Sequence, residues 1–378
     1  MGTGRHKFTE ISKLIGIHTG GIRTSHFSSA TVQDRHQVLS YIFFSGKALM
    51  EKVDSLFDIF DELLGDYSFD DHKRLVEIIR SAKSDLEDSI VPHGNHYVLS
   101  RLQSYQSRLG QFDELTDGIT YYRFLEQLLE RVEKDPGEVA DRFRQVAERV
   151  FTRKNAFFNI TSTQKDYRKI EKRIGGTGDV LSDKDWNVEE WNLKAVPLNE
   201  GFLTASNVQH VGKGANLYNL GFKYSGKFEV LKALLRTGFL WDRVRVHGGA
   251  YGSGNSFDFF TGDYSLLSYR DPNLTETLEI YDEIADFLSH LELPSEELTK
   301  IIIGCVGKMD PPELPNIFRG TALQWRRCVR SCTSTAPWPP MRGGLTGKVD
   351  ISLEMGPTGD SWETWCPSDV HRKSPTSL

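Results

Sequence analysis

Leu240-Trp241-Asp242-Arg243-Val244-Arg245-Val246-His247-Gly248-Gly249-Ala250-Tyr251-Gly252 is the stretch on which the architecture turns. By residue type alone, Arg245 reads as a charged strand residue and Tyr251 as an aromatic at a turn. Gly248 and Gly249 between them let the backbone bend and lie close against whatever passes over it. An extended region rich in Gly and aromatic residues then runs from Arg243 to Tyr269. Amphipathic patterns flank it on both sides. Phe228, Leu231, Leu234 and Leu235 recur at helical spacing over 226–240, a helix is predicted over 275–290, and Pro294 opens another reaching Ile303. Helices and strands interleaved in this order predict an α+β fold, with helices on one face of an antiparallel sheet.

The preceding half reads as helix-rich. Leu49, Val53, Leu56, Phe57, Phe60 and Leu63 recur every three or four residues, which predicts one helix over 47–64 ended by Gly65. A second is expected from an N-cap at Asp70, with Leu75, Ile78, Ile79, Ala82, Leu86 and Ile90 inward and Pro92 as its stop. A third spans about Tyr97 to Leu109. Thr116 caps a fourth that carries Ile119, Phe124, Leu125, Leu128 and Val132. Pro136 sits in the first turn of a fifth, with Val139, Phe143, Val146 and Val150 inward. Ala156 to Thr161 and Leu203 to Val211 are β-prone. Between them, Gly175-Gly176-Thr177-Gly178 and a polar run to Pro197 mark the best domain boundary. The glycine cluster reads as linker, because no P-loop lysine follows it and no strand–helix frame surrounds it. After Pro312 periodicity ends: Trp325, Trp338, Trp362 and Trp365 stand with Cys328, Cys332 and Cys366 among prolines and glycines. A loosely packed tail is expected there, since so little apolar burial hardly offsets the entropy of ordering.

Composition bounds the function. The chain has 378 residues, room for two domains, and 46 Lys+Arg against 52 Asp+Glu give a net charge of -6. That balance excludes the basic footprint of a nucleic-acid binder. No apolar run approaches the ~20 residues of a membrane span. Met1 to Lys7 has no apolar core behind it, so no secretory signal is read and a cytoplasmic location is expected, or an organellar one if a leader precedes the chain. The 4 cysteines include no CxxC, and Cys328 with Cys332 has no second ligand pair near it, so ordinary reduced thiols are expected.

The 240–252 block closely resembles a signature in the last domain of presequence proteases, a branch of the pitrilysin/insulinase-type zinc oligopeptidases. Ser268-Tyr269-Arg270-Asp271-Pro272-Asn273 matches the next block of that family. Thr277-Leu278 and Tyr281-Asp282 fall at the expected offsets, and Gly307-Lys308-Met309-Asp310-Pro311-Pro312 fits as well. Upstream, Thr19-Gly20-Gly21-Ile22, Gly46-Lys47-Ala48-Leu49 (taken as a helix start) and Ser89-Ile90-Val91-Pro92 resemble the segment that links the halves of such enzymes. The resemblance covers roughly residues 1–312.

The resemblance implies a clamshell whose two halves, each of two homologous α+β domains, close on an unfolded peptide. Its amino half carries HxxEH and a distal Glu around zinc. No histidine of this chain stands in that pattern. His93-Gly94-Asn95-His96 comes nearest, but it lacks the Glu and follows Pro92, so structural or solvent-facing roles are expected. The chain is therefore similar to the carboxy-terminal half. Residues 1–175 would be an incomplete third domain, 176–198 a linker, 199–312 the fourth domain with the substrate-contacting block, and 313–378 a divergent tail. No cofactor is expected in this chain, and zinc is expected in the complete enzyme. The implied partners are unfolded peptides and a catalytic amino-terminal half. The alternative is a non-catalytic peptide-binding or scaffold subunit, or a truncated product without activity of its own. The matching positions carry roles over to Arg245, as a clamp on a peptide carbonyl, and to Tyr251, as a donor to the oxyanion. Gly248, Gly249 and, ranked second, Arg270 are the further substrate contacts, with a structural ion pair or helix-entry contact the competing role for Arg270. Met1-Gly2-Thr3 matches a tripeptide internal to the third domain, so strands that open its sheet are expected to be missing and edges left unpaired.

Overall fold

A computed structural model describes residues 1–186, 199–309 and 348–355. The first half runs β1 (Gly2–Thr3), α1 (Phe8–His18), β2 (Ile22–Ala30), β3 (Val38–Leu49), α2 (Val53–Gly65), β4 (Tyr67–Ser68), α3 (His72–Ile90), α4 (Gly94–Ser104), α5 (Arg108–Asp117), α6 (Ile119–Lys134), α7 (Pro136–Val150), β5 (Ala156–Thr161) and α8 (Gln164–Asp179). The second runs β6 (Gly212–Asn216), α9 (Lys227–Thr237), a π-helical segment (Trp241–His247), β7 (Gly252–Phe257), β8 (Asp263–Tyr269), α10 (Thr275–Asp282), α11 (Ile284–Ser289) and α12 (Ser295–Met309), with β9 (Lys348–Met355) beyond it. The sheets have the orders β1-β4, β2-β3-β9-β5 and β6-β8-β7, with every ladder antiparallel. The α+β layering expected from the sequence is present.

The apolar stripe of α2 organises the first core. Val53, Leu56, Phe57, Phe60 and Leu64 are buried against Phe44 and Ala48 of β3, Ala156, Phe158 and Ile160 of β5, and Ile170 of α8. Fully burying a side chain of this size contributes ~1.5–3 kcal/mol. A Cβ on Gly46 would stand 2.8 Å from Leu56 and 3.0 Å from Phe60, so glycine is what lets α2 lie flat on β3. A second cluster joins Leu75 and Ile79 of α3 to Val132 of α6 and Val139 and Ala140 of α7. Pro136 occupies the first turn of α7, and the Asp135 side chain caps it by accepting the Glu138 N–H at 3.0 Å.

Strand β8 sorts its side chains by alternation. Tyr264 and Leu266 join Val211, Leu235, Phe239, Leu240, Val244, Ala250 and Tyr281 in the core beneath α9 and α10. The opposite face meets the first half. Leu267 closes over Gly212 together with Val98 and Leu102 of α4, and the Tyr269 hydroxyl donates to the Pro92 carbonyl at 3.1 Å. Asp263 is buried in the same seam, accepting from Ser107, the N-cap of α5, and from Asn216 Nδ2 at 2.8 Å.

This seam should respond to pH. Burial raises the Asp263 carboxyl above its ordinary value of 3.8, with Asp258 adding to the effect and the hydrogen bonds from Ser107, Thr261 and Asn216 opposing it. The folded state thus holds the proton more tightly than the unfolded chain. The stabilisation is full below the unfolded value and is lost as pH rises through the folded one. Asp263→Asn should therefore gain stability relative to the native chain as pH rises from about 4 to about 7. Denaturant unfolding at both pH values checks this, and a pH-independent difference would contradict it.

Several expectations need correction. Gly46 and Ala48 are buried while Lys47 and Leu49 are exposed, a period of two, so 46–49 ends β3 and the helix starts only at Val53. Thr116 lies inside α5, its hydroxyl donating back to the Phe112 carbonyl at 3.2 Å, and α6 begins after Gly118. Ile78, Phe124 and Val146 face outward. Leu203 to Val211 forms no strand beyond a bridge at Gln209, and the ladder starts at Gly212. Gly175–Gly178 closes α8 rather than opening a linker, with Thr177 buried. Arg243–His247 is not extended but π-helical. The 275–290 helix breaks at Glu283. The rest of the expected linker (187–198) and of the tail (310–347 and 356–378) lies outside the described residues. Residues 348–355 form a strand where no packed structure was expected. Their alternation of Lys, Asp, Ser and Glu with Val349, Ile351, Leu353 and Met355 is a period-two signal set amid Pro- and Gly-rich sequence.

Candidate functional site

The site is built on the π-helical segment. The N–H of Gly248 donates to Arg243 at 3.0 Å and that of Ala250 to Val244 at 3.2 Å, which widens the turn. Trp241 and Arg245, four residues apart, share one flank. The Arg245 guanidinium stacks 4.0 Å from the Trp241 ring centroid and lies 5.8 Å from that of Tyr251. Both glycines are needed to leave the segment. A Cβ on Gly248 would meet the Val244 carbonyl at 2.6 Å, and Gly249 has φ +80°. Tyr251 follows immediately, 66% exposed, with its N–H donating to the Arg270 carbonyl at 3.2 Å. Its ring stands edge-on to Tyr269 at 5.8 Å. Arg270 lies 5.4 Å over the Tyr269 ring and His210 packs 5.2 Å from it.

Arg270 has φ 48°, the only positive value of a non-glycine among the described residues. Such a conformation costs of order 1–3 kcal/mol and persists only when its surroundings enforce it. Asp271 supplies the enforcement. Its main chain exchanges two hydrogen bonds with Gln209, at 3.0 and 2.8 Å. Its fully buried carboxylate accepts the Thr277 hydroxyl at 2.8 Å and the Asn273 N–H at 2.9 Å. Asn273 Nδ2 in turn donates to the Gly248 carbonyl at 2.5 Å. The Arg270 corner and the Gly248–Gly249 turn are thereby locked together.

The structure thus brings Arg245, Gly248, Gly249, Tyr251 and Arg270 to one surface. Sequence reasoning missed the supporting residues Trp241, His210, Tyr269, Asp271 and Asn273. One signal was available: Asp-Pro-Asn is a turn sequence whose first side chain bonds the backbone two residues on. Among the described residues, neither Arg245 nor Arg270 has a carboxylate partner, whereas Arg243 pairs with Glu283 at 2.6 Å. The ion pair considered for Arg270 is therefore not formed, and its guanidinium rests on an aromatic ring instead. Burial lowers the proton affinity of His210, and the charge of Arg270 lowers it further against a hydrogen bond to the Val91 backbone. A neutral imidazole next to Tyr269 follows from those signs.

Chemically, the surface offers a half-exposed guanidinium with unused donors beside an exposed phenol. Both suit the oxygen atoms of a peptide backbone. Zinc does not fit the described residues. They hold no group of three or more His, Cys, Asp or Glu placed around a common point. His96, the nearest candidate, bonds Asp117 at 3.2 Å instead. Among the described residues, no helix is long and apolar enough to cross a membrane.

Residues 1–128 match the family model of the peptidase-associated segment of this peptidase group, and residues 199–329 match that of the PreP C-terminal domain. Protein HypA of Clostridium perfringens is 33% identical over 311 residues, covering 82% of this chain and 32% of its own length. Presequence protease 1, chloroplastic/mitochondrial, of Arabidopsis thaliana is 32% identical over 317 residues, which cover 84% of this chain and 29% of that protein. The mitochondrial presequence protease of Yarrowia lipolytica is 23% identical over 316 residues, 82% of this chain and 32% of its own. The chain spans about a third of the length of these relatives.

Proposed function

The chain belongs to the presequence-protease branch of the pitrilysin-type peptidases, matching their carboxy-terminal part, and from that premise we propose that it supplies the closing wall and substrate contacts of a zinc endopeptidase acting on unfolded peptides. The observation that carries this reading is the Arg245 guanidinium, stacked on Trp241 without a carboxylate partner among the described residues and placed beside the exposed Tyr251. Arg245 holds a peptide carbonyl through two parallel donors. Tyr251 donates to a carbonyl oxygen as charge gathers on it. Gly248 and Gly249 let the strand of substrate approach, and Arg270 lies at the margin. The metal chemistry of such an enzyme is assigned to no described residue of this chain; it would fall to a catalytic amino-terminal half.

Binding of a fluorescent unfolded peptide to the chain tests the reading. Arg245→Ala should weaken it about 10–100-fold, the contribution of a charge-assisted hydrogen bond, and Arg245→Lys should recover only part because the planar fork is lost. The chain by itself, having no HxxEH in its sequence, should cleave nothing. Unchanged binding in Arg245→Ala would refute the clamp. The missing motif also favours a second reading, a non-catalytic subunit that holds peptides; addition of a catalytic half separates the two by whether turnover appears. The names of the plant and yeast relatives place those proteins in chloroplasts or mitochondria. A cytoplasmic address for this chain is proposed only, and cell fractionation decides it.

A further inference from the structure

Strands β3 and β5 are neighbours of β9 but not of each other. β9 makes 8 register pairs with β3, from Ile42↔Met355 to Leu49↔Lys348, and 6 with β5, from Ala156↔Met355 to Thr161↔Asp350. At ~4.8 Å per strand, the two walls stand about 10 Å apart, one strand width on each side of the occupant.

The walls are set by packing, not by the occupant. Phe44, Gly46 and Ala48 on one side, and Ala156, Phe158 and Ile160 on the other, rest on Leu56, Phe57, Phe60 and Ile170. β5 has no other sheet partner among the described strands. An empty gap would leave two facing rows of backbone donors and acceptors unpaired, which a folded protein does not tolerate in its interior. The residues that fill it arrive from beyond α12, across residues 310–347, a length that extended would reach on the order of 100 Å. The strand is therefore held in the gap by its ladders and not by a short loop.

We propose that the gap between β3 and β5 is a strand-acceptor site. It takes one extended, proline-free segment, antiparallel to both walls, with apolar residues at alternate positions, and Lys348–Met355 is the occupant this chain supplies to itself. Recognition is by main-chain hydrogen bonds, with the alternate apolar residues selecting the register. The site lies in the first half and does not depend on Arg245 or Tyr251. A free unfolded peptide of this pattern competes for it with the resident strand.

Two experiments on the full chain test this. Ile351→Pro removes a ladder N–H and should raise hydrogen exchange about 10-fold or more at 42–49 and 156–161, leaving β7 and β8 unchanged. An excess of synthetic peptide with the sequence of residues 348–355 should restore protection, and the same peptide carrying the proline should not. Exchange at 42–49 and 156–161 equal to the native chain, or no rescue by the peptide, overturns the proposal. The second test needs no destabilised variant. Lys47→Cys with Asp350→Cys, a register pair, should crosslink within one chain on mild oxidation. Absence of that crosslink, or a crosslink only between two chains, also overturns it.

Discussion

Tyr251→Phe, made in this chain joined to a catalytic amino-terminal half, should lower kcat by about 10²–10³ while changing KM little, the cost of one donor to a developing oxyanion. The substitution is clean because nothing else at the site uses the hydroxyl for support. The ring is braced edge-on by Tyr269 and the main chain is tied to the Arg270 carbonyl, contacts that phenylalanine keeps. The side chain is largely exposed, so folding stability should stay within about 0.5 kcal/mol. Arg245→Ala should instead raise KM as well, because a clamp on a peptide carbonyl acts before and during the reaction alike. Steady-state kinetics with a thermal melt of each variant separate the cases. A Tyr251→Phe enzyme with native kcat would remove the oxyanion role, and a lowered melt would make the residue structural.

Asp271→Ala should destabilise the second half by about 2–6 kcal/mol, the sum for two buried donors left without an acceptor. The Thr277 hydroxyl and the Asn273 N–H are those donors. The loss should reach the site although Asp271 contacts no substrate. Without the carboxylate, Asn273 no longer holds the Gly248 carbonyl in place, and the left-handed Arg270 loses what enforces it. Peptide binding should then weaken in parallel with Arg245→Ala. Asp271→Asn keeps one acceptor oxygen and should retain most of the binding. Because the two halves need not unfold together, hydrogen exchange at 209–211 and 268–277 reads the effect more directly than a single melting temperature. A native melt and native exchange in Asp271→Ala would show that the corner holds without its carboxylate.

The sequence by itself determined what short-range physics controls. The stripe at Val53, Leu56, Phe57 and Phe60, the Pro136 start of α7 and the β-prone run Ala156–Thr161 all formed where their patterns put them. Each depends on residues within one or two turns of itself. Arg245, Gly248, Gly249, Tyr251 and Arg270 were named from a motif, and their clustering at one surface was implicit in its spacing. Only the tertiary structure decided that Arg243–His247 winds as a π-helix, that Arg245 lies on Trp241, and that Asp271 and Asn273 hold the turn from behind. It also decided that Lys348–Met355 is a central strand of a sheet whose first strands lie near the start of the chain. A strand's partner is chosen by which open backbone edge is free and buried nearby, and neither quantity is written in the strand's own residues.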